Sequence, residues 1–172
     1  MGTDTSVEVP PVDRSARCTV GEALAPGVPN TEDRGDGQQK GYVILCEEER
    51  KRGFVRPVRQ KYVHVGKRPK YETRQLTAEE KAVHNDGADP SEHYAVFERY
   101  PAELAPRTGR FWTAKELRSG CGSTTTMGLA LSETYARDPG FYSGTFCCQC
   151  RAHFPVGADG EFVWEDGTLV GT

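Results

Sequence analysis

The chain has few apolar residues and no long apolar run. Hydrophobic residues make up 36% of its 172 residues, and the mean hydropathy is -0.64, whereas roughly 45 to 50% of an average globular domain is apolar. No stretch approaches the ~18 apolar residues that a membrane-spanning helix needs, and the N terminus lacks the apolar segment of a secretory signal. We therefore expect a small core, no membrane contact, and a location in the cytoplasm or within an assembled virion.

Residues 1–40 contain no aromatic side chain and are rich in Gly, Pro, Asp, Thr and Ser. Such a segment cannot bury enough apolar area to offset the entropy lost on ordering. We expect residues 1–40 to form an arm that is disordered or ordered by a partner. Residues 41–172 are then a single domain, with a basic, β-rich part (41–108) and a helix with a zinc hairpin (109–172).

Short runs of Val, Ile, Tyr and Phe indicate antiparallel strands. These runs are residues 41–46, 53–58, 60–65, 93–98, 141–147, 154–156 and 161–165. Capping boxes at Thr77 and Thr113 predict short helices, and Ser123 or Thr124 is expected to cap a longer helix that Asp138 ends. The sequence therefore predicts an α+β fold with two or three helices and a C-terminal hairpin.

Six cysteines occur at positions 18, 46, 121, 147, 148 and 150. Without a secretory signal we expect them to be reduced, and clustered thiols are then metal ligands more often than disulfides. Cys147, Cys150 and His153 form a Cys-x-x-Cys-x-x-His turn between two aromatic strands, a spacing that suits tetrahedral Zn²⁺. Cys121, in a Gly-Cys-Gly break, is the best candidate for the fourth ligand.

The predicted zinc site is thus Cys121, Cys147, Cys150 and His153, and Cys148 could replace Cys147. Four protein ligands leave no open coordination position, which favours a structural role over a catalytic one. The HExxH motif and the His-x-Glu motif of zinc deaminases are absent from the sequence. The alternatives are ordinary buried thiols, a redox pair, or Cys121 acting as a nucleophile with His64, His84 or His93 as its base.

Basic residues are concentrated in residues 47–74, which hold ten Lys and Arg against four Glu. Together with interleaved aromatic residues, they could follow a phosphate backbone. Alternatively, they could contact an acidic protein chain or form a solvated hairpin face. The candidate binding residues are Arg50, Lys51, Arg52, Arg56, Arg59, Lys61, Lys67, Arg68 and Lys70.

Residues 109–172, with the runs GRFWTAKEL, CGSTTTMG and FYSGTFCCQCRAHFPV, resemble small proteins of bacterial and phage genomes, a group without an established activity. Residues 147–164 are similar to a zinc-ribbon or zinc-knuckle hairpin, a module used for structure and binding. The sequence therefore favours a non-catalytic, zinc-stabilised binding or assembly protein, such as a component of a phage virion, that contacts other protein chains or nucleic acid. The alternative is an enzyme that depends on zinc or on Cys121.

Overall fold

The computed structural model describes residues 8–67, 73–75, 77–79, 94–97, 112–113 and 119–172. The chain divides into two compact units, residues 1–64 with 123–172, and residues 65–122. The described elements are small antiparallel sheets and short helices, so the α+β class is confirmed at that level. In the second unit, β5 (Thr73–Gln75), β6 (Tyr94–Phe97) and β7 (Trp112–Thr113) form a three-stranded antiparallel sheet in the order β5-β6-β7.

The first unit begins with a sheet built largely from the segment predicted to be an arm. β1 (Arg17–Gly21) and β2 (Asn30–Asp33) flank β3 (Gln39–Leu45), and both pairings are antiparallel. A disulfide joins Cys18 in β1 to Cys46, the residue after β3. The flexible arm expected for residues 1–40 is therefore not confirmed, since Arg17–Gly21 and Asn30–Asp33 are strands, and ordering of this segment by a partner stays a prediction. The expectation of reduced cysteines is wrong for Cys18 and Cys46. Strand pairing and a covalent link order a segment that buries little apolar surface.

A second sheet carries most of the hydrophobic core. β4 (Lys61–His64) lies between β8 (Thr124–Thr126) and β11 (Phe162–Trp164), again with antiparallel pairing. The core cluster consists of Tyr62, Met127, Tyr135, Cys147, Phe162, Trp164 and Val170. Most of its members are large aromatic side chains or contain sulfur, so a chain with little apolar content still encloses a continuous core.

Two helices are completely described. The first, α1 (Glu47–Arg50), is a single turn after β3, and the second, α2 (Leu129–Arg137), begins after Gly128 and ends before Asp138. The predicted end of the longer helix is confirmed, whereas its predicted start at Ser123 or Thr124 is wrong, because Thr124–Thr126 pair with β4 as a strand. The apolar face expected for this helix is present, since Thr134 and Tyr135 are buried and Leu131 packs on the core.

The C-terminal hairpins agree with the sequence pattern. β9 (Gly144–Cys147) pairs with β10 (Ala152–Pro155), and the turn between them holds Cys148 and Cys150. Asp166 and Gly167 form the predicted turn after β11, where the Trp164 N–H donates to Thr168 O at 2.8 Å.

Two other expectations fail in the described residues. Residues 53–58 form no strand, and the backbone N–H groups of Val55 and Arg56 both donate to Ala136 O, at 2.9 and 3.0 Å. Thr113, expected to cap a helix, lies in β7. Residues 78–79 after Thr77 are helical as predicted, and the rest of that predicted helix lies outside the described residues. Among the helices described, none has the length and apolar content needed to cross a membrane.

Candidate metal centre

Four metal-ligating side chains converge at one end of β4. His64, Cys121, Cys147 and Cys150 each offer one nitrogen or sulfur atom, and these four atoms all lie within 4.8 Å of one another. His64 and Cys147 are buried, and Cys121 and Cys150 are exposed. The group therefore has one side against the core and one side toward solvent.

His64 is fixed by strand pairing and by aromatic packing. It is the last residue of β4, opposite Phe162 in the ladder, and its backbone N–H donates to Ser123 O at 3.1 Å. Its ring lies close to those of Phe154 and Phe162, with centroid distances of 4.3 and 4.8 Å. His64 is only 3% exposed, so packing sets its position before any ligand binds.

The β9–β10 turn supplies two of the cysteines. Cys147 ends β9 with no exposed surface, and Cys150 follows in the turn. The Arg151 N–H donates to Cys147 O at 2.8 Å, and Arg151 has a φ of +54°. Such a left-handed residue closes the turn tightly, which brings the side chains of positions 147 and 150 to the same side.

Cys121 follows a residue that pairs with the backbone at positions 65–66. The Gly120 N–H donates to Val65 O at 3.2 Å, next to the bond between His64 and Ser123. Gly66 permits this close approach, since a Cβ atom there would lie 2.0 Å from Gly120 N, and its φ is +77°. These contacts fix the backbone of residues 65–66 against that of residue 120.

The donor set fits zinc. Three thiolates and one imidazole are a common ligand set of structural Zn²⁺ sites, with bonds of about 2.3 Å to sulfur and about 2.0 Å to nitrogen. In a tetrahedron with those bonds, a sulfur and a nitrogen are about 3.5 Å apart. The distance from Cys150 Sγ to His64 Nδ1 is 3.5 Å, so this pair already has the separation that the ion requires.

A buried carboxylate lies on the other side of the His64 ring. Glu161 Oε1 is 3.6 Å from Nε2, and both side chains are almost entirely enclosed. Ligating histidines usually direct their second ring nitrogen at a carboxylate or carbonyl, which fixes the tautomer and raises the basicity of the ligating nitrogen. Glu161 is the carboxylate beside Nε2, although at 3.6 Å the two atoms are not hydrogen-bonded.

The structure brings together three of the four predicted ligands and places the fourth elsewhere. His153 lies in β10 with its Nε2 at 2.9 Å from the Tyr42 hydroxyl, and its partial burial lowers its pKa. Cys148 is exposed, and its Sγ donates to Thr124 O at 3.4 Å, so Cys147, not Cys148, belongs to the group. His64 occupies the position that local spacing assigns to His153.

Local spacing does not identify His64, because it lies on a strand far from the cysteine turn in sequence. The one signal is its position at the end of an aromatic β run, in a chain with four histidines. From the sequence alone, His64 is a candidate base for Cys121 and not a candidate ligand. The two other candidate bases, His84 and His93, lie outside the described residues.

Most of the candidate basic residues within the described ranges form ion pairs or hydrogen bonds with other groups of the same chain. Four form ion pairs with its own carboxylates: Arg50 with Glu133 at 2.7 Å, Lys51 with Glu47, Arg52 with Glu49 at 3.0 Å, and Arg59 with Asp166 at 2.6 Å. Arg56 donates to Thr172 O at 3.2 Å, and Lys61 and Lys67 are exposed. Arg68 and Lys70 lie outside the described residues. Much of the positive charge in this stretch is thus balanced internally.

Comparison of the chain with family models, with curated proteins and with solved structures finds no match. The function is therefore inferred from the geometry of the site.

Proposed function

We propose that the protein is a non-catalytic binding module whose fold is stabilised by one zinc ion held by His64, Cys121, Cys147 and Cys150. The observation that carries this proposal is the convergence of the four ligand atoms within 4.8 Å. Four protein ligands close the coordination sphere, so no position remains for water or substrate. The ion would cross-link β4, the β9–β10 turn and the segment that holds Cys121, and its binding energy would add to the folding energy.

A protein chain is the partner that the surface favours. Phe54, Val55 and Val58 are 42%, 46% and 37% exposed in one short segment, and clustered exposed apolar side chains are typical of protein-binding sites. The internal ion pairs of the neighbouring arginines leave less charge for a phosphate backbone. The disulfide between Cys18 and Cys46 favours a location outside the reducing cytosol, such as an assembled virion, over the cytoplasm.

The zinc centre is tested by elemental analysis of the purified full-length protein and of matched variants. We expect about one zinc ion per chain in the wild type, and its loss in Cys121→Ser and Cys150→Ser, with a lower melting temperature in both. Cys148→Ser and His153→Gln are the controls and retain the metal. Loss of zinc from His153→Gln, or a wild type without zinc, would contradict the proposed ligand set.

The carboxylate next to His64 provides a finer test of the same site. In the proposed site Glu161 orients the imidazole once the ion is bound, so we expect Glu161→Ala to lower zinc affinity about 10- to 100-fold, measured by competition with a chelating dye. Glu165→Ala is the control, because Glu165 is exposed in the same region of the chain. Equal affinities for the two variants would show that Glu161 does not orient His64.

One observation supports a second candidate function. Cys150 Sγ lies 3.5 Å from one ring nitrogen of His64, and Glu161 lies 3.6 Å from the other, which is the order of nucleophile, base and orienting acid in cysteine enzymes. In that case Cys150 in metal-depleted protein should react with iodoacetamide much faster than Cys148, and Glu161→Ala should slow the reaction. Equal rates for the two cysteines would eliminate this candidate.

The partner class is tested by fluorescence anisotropy with a labelled single-stranded oligonucleotide at about 50 and about 200 mM salt. A protein-binding module should show weak binding at most at the higher salt concentration. Tight binding at the higher salt concentration that is lost in Lys61→Glu and Lys67→Glu would instead favour nucleic acid, because contacts with phosphates dominate such complexes.

A further inference from the structure

β8 lies at an edge of its sheet, whose strands run in the order β11-β4-β8. An edge strand presents backbone N–H and C=O groups with which another extended chain can pair. Thr124, Thr126 and the following Gly128 are all exposed. The outer side of β8 is therefore accessible to solvent.

The pairing of β8 with β4 shows which backbone groups point outward. Residues 123 and 127 bond to the β4 segment, since Ser123 O accepts at 3.1 Å and the Met127 N–H donates at 2.8 Å. Hydrogen-bonded and non-hydrogen-bonded positions alternate along an antiparallel strand, so Thr125 also bonds to β4. The N–H and C=O groups of Thr124 and Thr126 then point away from β4.

Thr126 is the position whose outward groups remain available. The Thr124 carbonyl already accepts from Cys148 Sγ at 3.4 Å, which agrees with its outward direction. Within the described part of the chain, neither outward group of Thr126 makes a hydrogen bond. A chain that pairs with β8 can therefore both donate to and accept from Thr126, as adjacent strands do.

A cavity of about 380 Å³ lies beside this edge, and residues 124–128 form part of its wall. Ligand pockets usually measure roughly 300 to 1,000 Å³. The other walls are largely aromatic and apolar, and include Tyr42, Tyr62, Leu131, Tyr142 and Phe146. Side chains of a strand project alternately to its two sides, so an extended chain on the edge could place one large apolar side chain here.

The charged side chains around the cavity are basic. Arg34 and Lys40 line it, and no carboxylate does so among the described residues; Lys61 is exposed on the neighbouring strand β4. Lys40 pairs with Glu32 at 2.9 Å, and Arg34 lies 3.8 Å from Asp36. Exposed ion pairs of this kind contribute little to stability, so both cations can exchange their partners for a carboxylate of a bound chain.

We propose that an extended, acidic segment of another protein chain adds to β8 as a further strand and places one large apolar side chain in the cavity. Strand addition takes its affinity from backbone hydrogen bonds and its specificity from pockets for alternate side chains. The proposal assigns a site and a chemistry to the protein partner, so it rests on the binding role proposed above. It does not require the zinc ion, because none of the four metal-centre residues lines the cavity.

The test uses a fluorescein-labelled peptide, Glu-Val-Thr-Phe-Thr-Val-Glu with an amidated C terminus, and the purified full-length protein. Binding is followed by fluorescence anisotropy. A second peptide carries Lys in place of both Glu residues. We expect the acidic peptide to bind more tightly than the basic one, with a smaller difference at high salt because salt screens exposed charges.

Thr126→Pro removes the outward N–H of β8. Proline is tolerated at an edge position whose N–H faces solvent, so we expect the variant to fold. It should bind the acidic peptide about fivefold more weakly, the effect of one neutral hydrogen bond. Thr126→Val is the matched control, because it keeps the N–H and a β-branched side chain, and it should bind as the wild type does.

A measurement on the wild type makes the test independent of how the proline variant folds. When the acidic peptide is added, the Thr126 amide proton should move downfield in the NMR spectrum and exchange more slowly with solvent. The Thr125 amide should change little, because it is already bonded to β4.

The proposal would be overturned if the acidic peptide did not bind, or if it bound without affecting the Thr126 amide. Binding that is lost in Phe54→Ser but retained in Thr126→Pro would place the partner on the exposed segment of residues 53–58. That result would reject strand addition and keep the proposed binding role. Zinc content and melting temperature are measured in the same samples, so failure of the metal centre is recorded separately.

Discussion

Arg137 is fully buried at the end of α2, where few proteins place a charge without a partner. Its guanidinium donates to Glu49 Oε1 at 2.8 Å and to the carbonyl oxygens of Pro10 and Pro11 at 2.8 and 3.1 Å. Glu49, itself 4% exposed, also accepts from the Asp13 N–H at 3.1 Å. One buried ion pair thus connects α1, α2 and the N-terminal segment.

Removing one partner of this pair should be costly. Glu49→Ala leaves Arg137 buried without its carboxylate, and we expect the free energy of unfolding at neutral pH to fall by about 3 to 5 kcal/mol, measured by urea denaturation. Glu47→Ala is the control, because the Glu47–Lys51 pair is exposed and exposed ion pairs contribute little to stability. Equal losses would show that the buried pair does not stabilise the fold.

Glu49 also makes the free energy of unfolding depend on pH. Burial alone would raise the pKa of Glu49, but hydrogen bonds from Arg137, Arg52 and the Asp13 N–H lower it below 4.5. The folded state therefore binds this proton more weakly than the unfolded state, and the stability due to Glu49 is present above the unfolded pKa of 4.5 and lost as the pH falls through the folded pKa. In Glu49→Ala this part of the acid-induced loss should be absent, as urea denaturation at a series of pH values would show.

The candidate ligands show what sequence spacing can predict at the scale of single residues. Cys147 and Cys150 are identifiable because their side chains converge within one turn, and Cys121 because a cysteine between two glycines is unusual. His153 is predicted on the same ground, because it follows Cys150 closely in sequence. In β10, however, its ring lies next to Tyr42. His64 reaches the group only through the pairing of β4 with β8 and β11, which no local pattern specifies.

At the scale of elements, the sheet of β1, β2 and β3 depends on features other than apolar burial. β1 and β2 are mostly exposed, so composition alone predicts disorder. Close backbone packing also restricts position 37 to glycine, since a Cβ atom there would lie 2.1 Å from Arg151 O in the turn after β9. The strands are ordered by pairing with β3, whose buried residues Ile44 and Leu45 attach the sheet to the rest of the first unit.

The disulfide between Cys18 and Cys46 is expected to be a main source of stability for this sheet. It closes a loop with a sequence separation of 28 residues, and the loss of chain entropy in the unfolded state corresponds to about 3 to 4 kcal/mol. We expect the double variant Cys18→Ser, Cys46→Ser to lose about that much free energy of unfolding in urea while it retains one zinc ion. A loss below about 1 kcal/mol, no larger than that of Cys148→Ser, would contradict this expectation.

The start of α2 shows where strand pairing overrides a local signal. Ser123 and Thr124 are good N-cap residues, which is why the sequence predicts a helix that begins there. Thr is also β-branched and favours strands, and residues 124–126 pair with β4. The helix begins only after Gly128, so the three threonines belong to the sheet and not to the helix.

At the scale of the whole molecule, only 36% of the residues are hydrophobic. Covalent, ionic and metal contacts between segments therefore supply stability that a larger core would give. The disulfide, the Glu49–Arg137 pair and the proposed zinc ion each join segments that are distant in sequence. All of these links, apart from the thiolate of Cys121, involve residues of the first unit. We therefore expect the first unit to fold without most of the second.

A shortened chain tests this expectation. The Lys67 N–H donates to Ser119 Oγ at 3.0 Å, so residues 67 and 119 are close enough for a short Gly-Ser linker to replace residues 68–118 and keep Cys121. Trp164 is then the sole tryptophan and reports on the core by fluorescence. We expect one cooperative unfolding transition and about one zinc ion per chain. The same shortened chain with Cys121→Ser should lose the metal. A shortened chain that binds no zinc, or unfolds without cooperativity, would show that residues 68–118 are needed to assemble the metal centre.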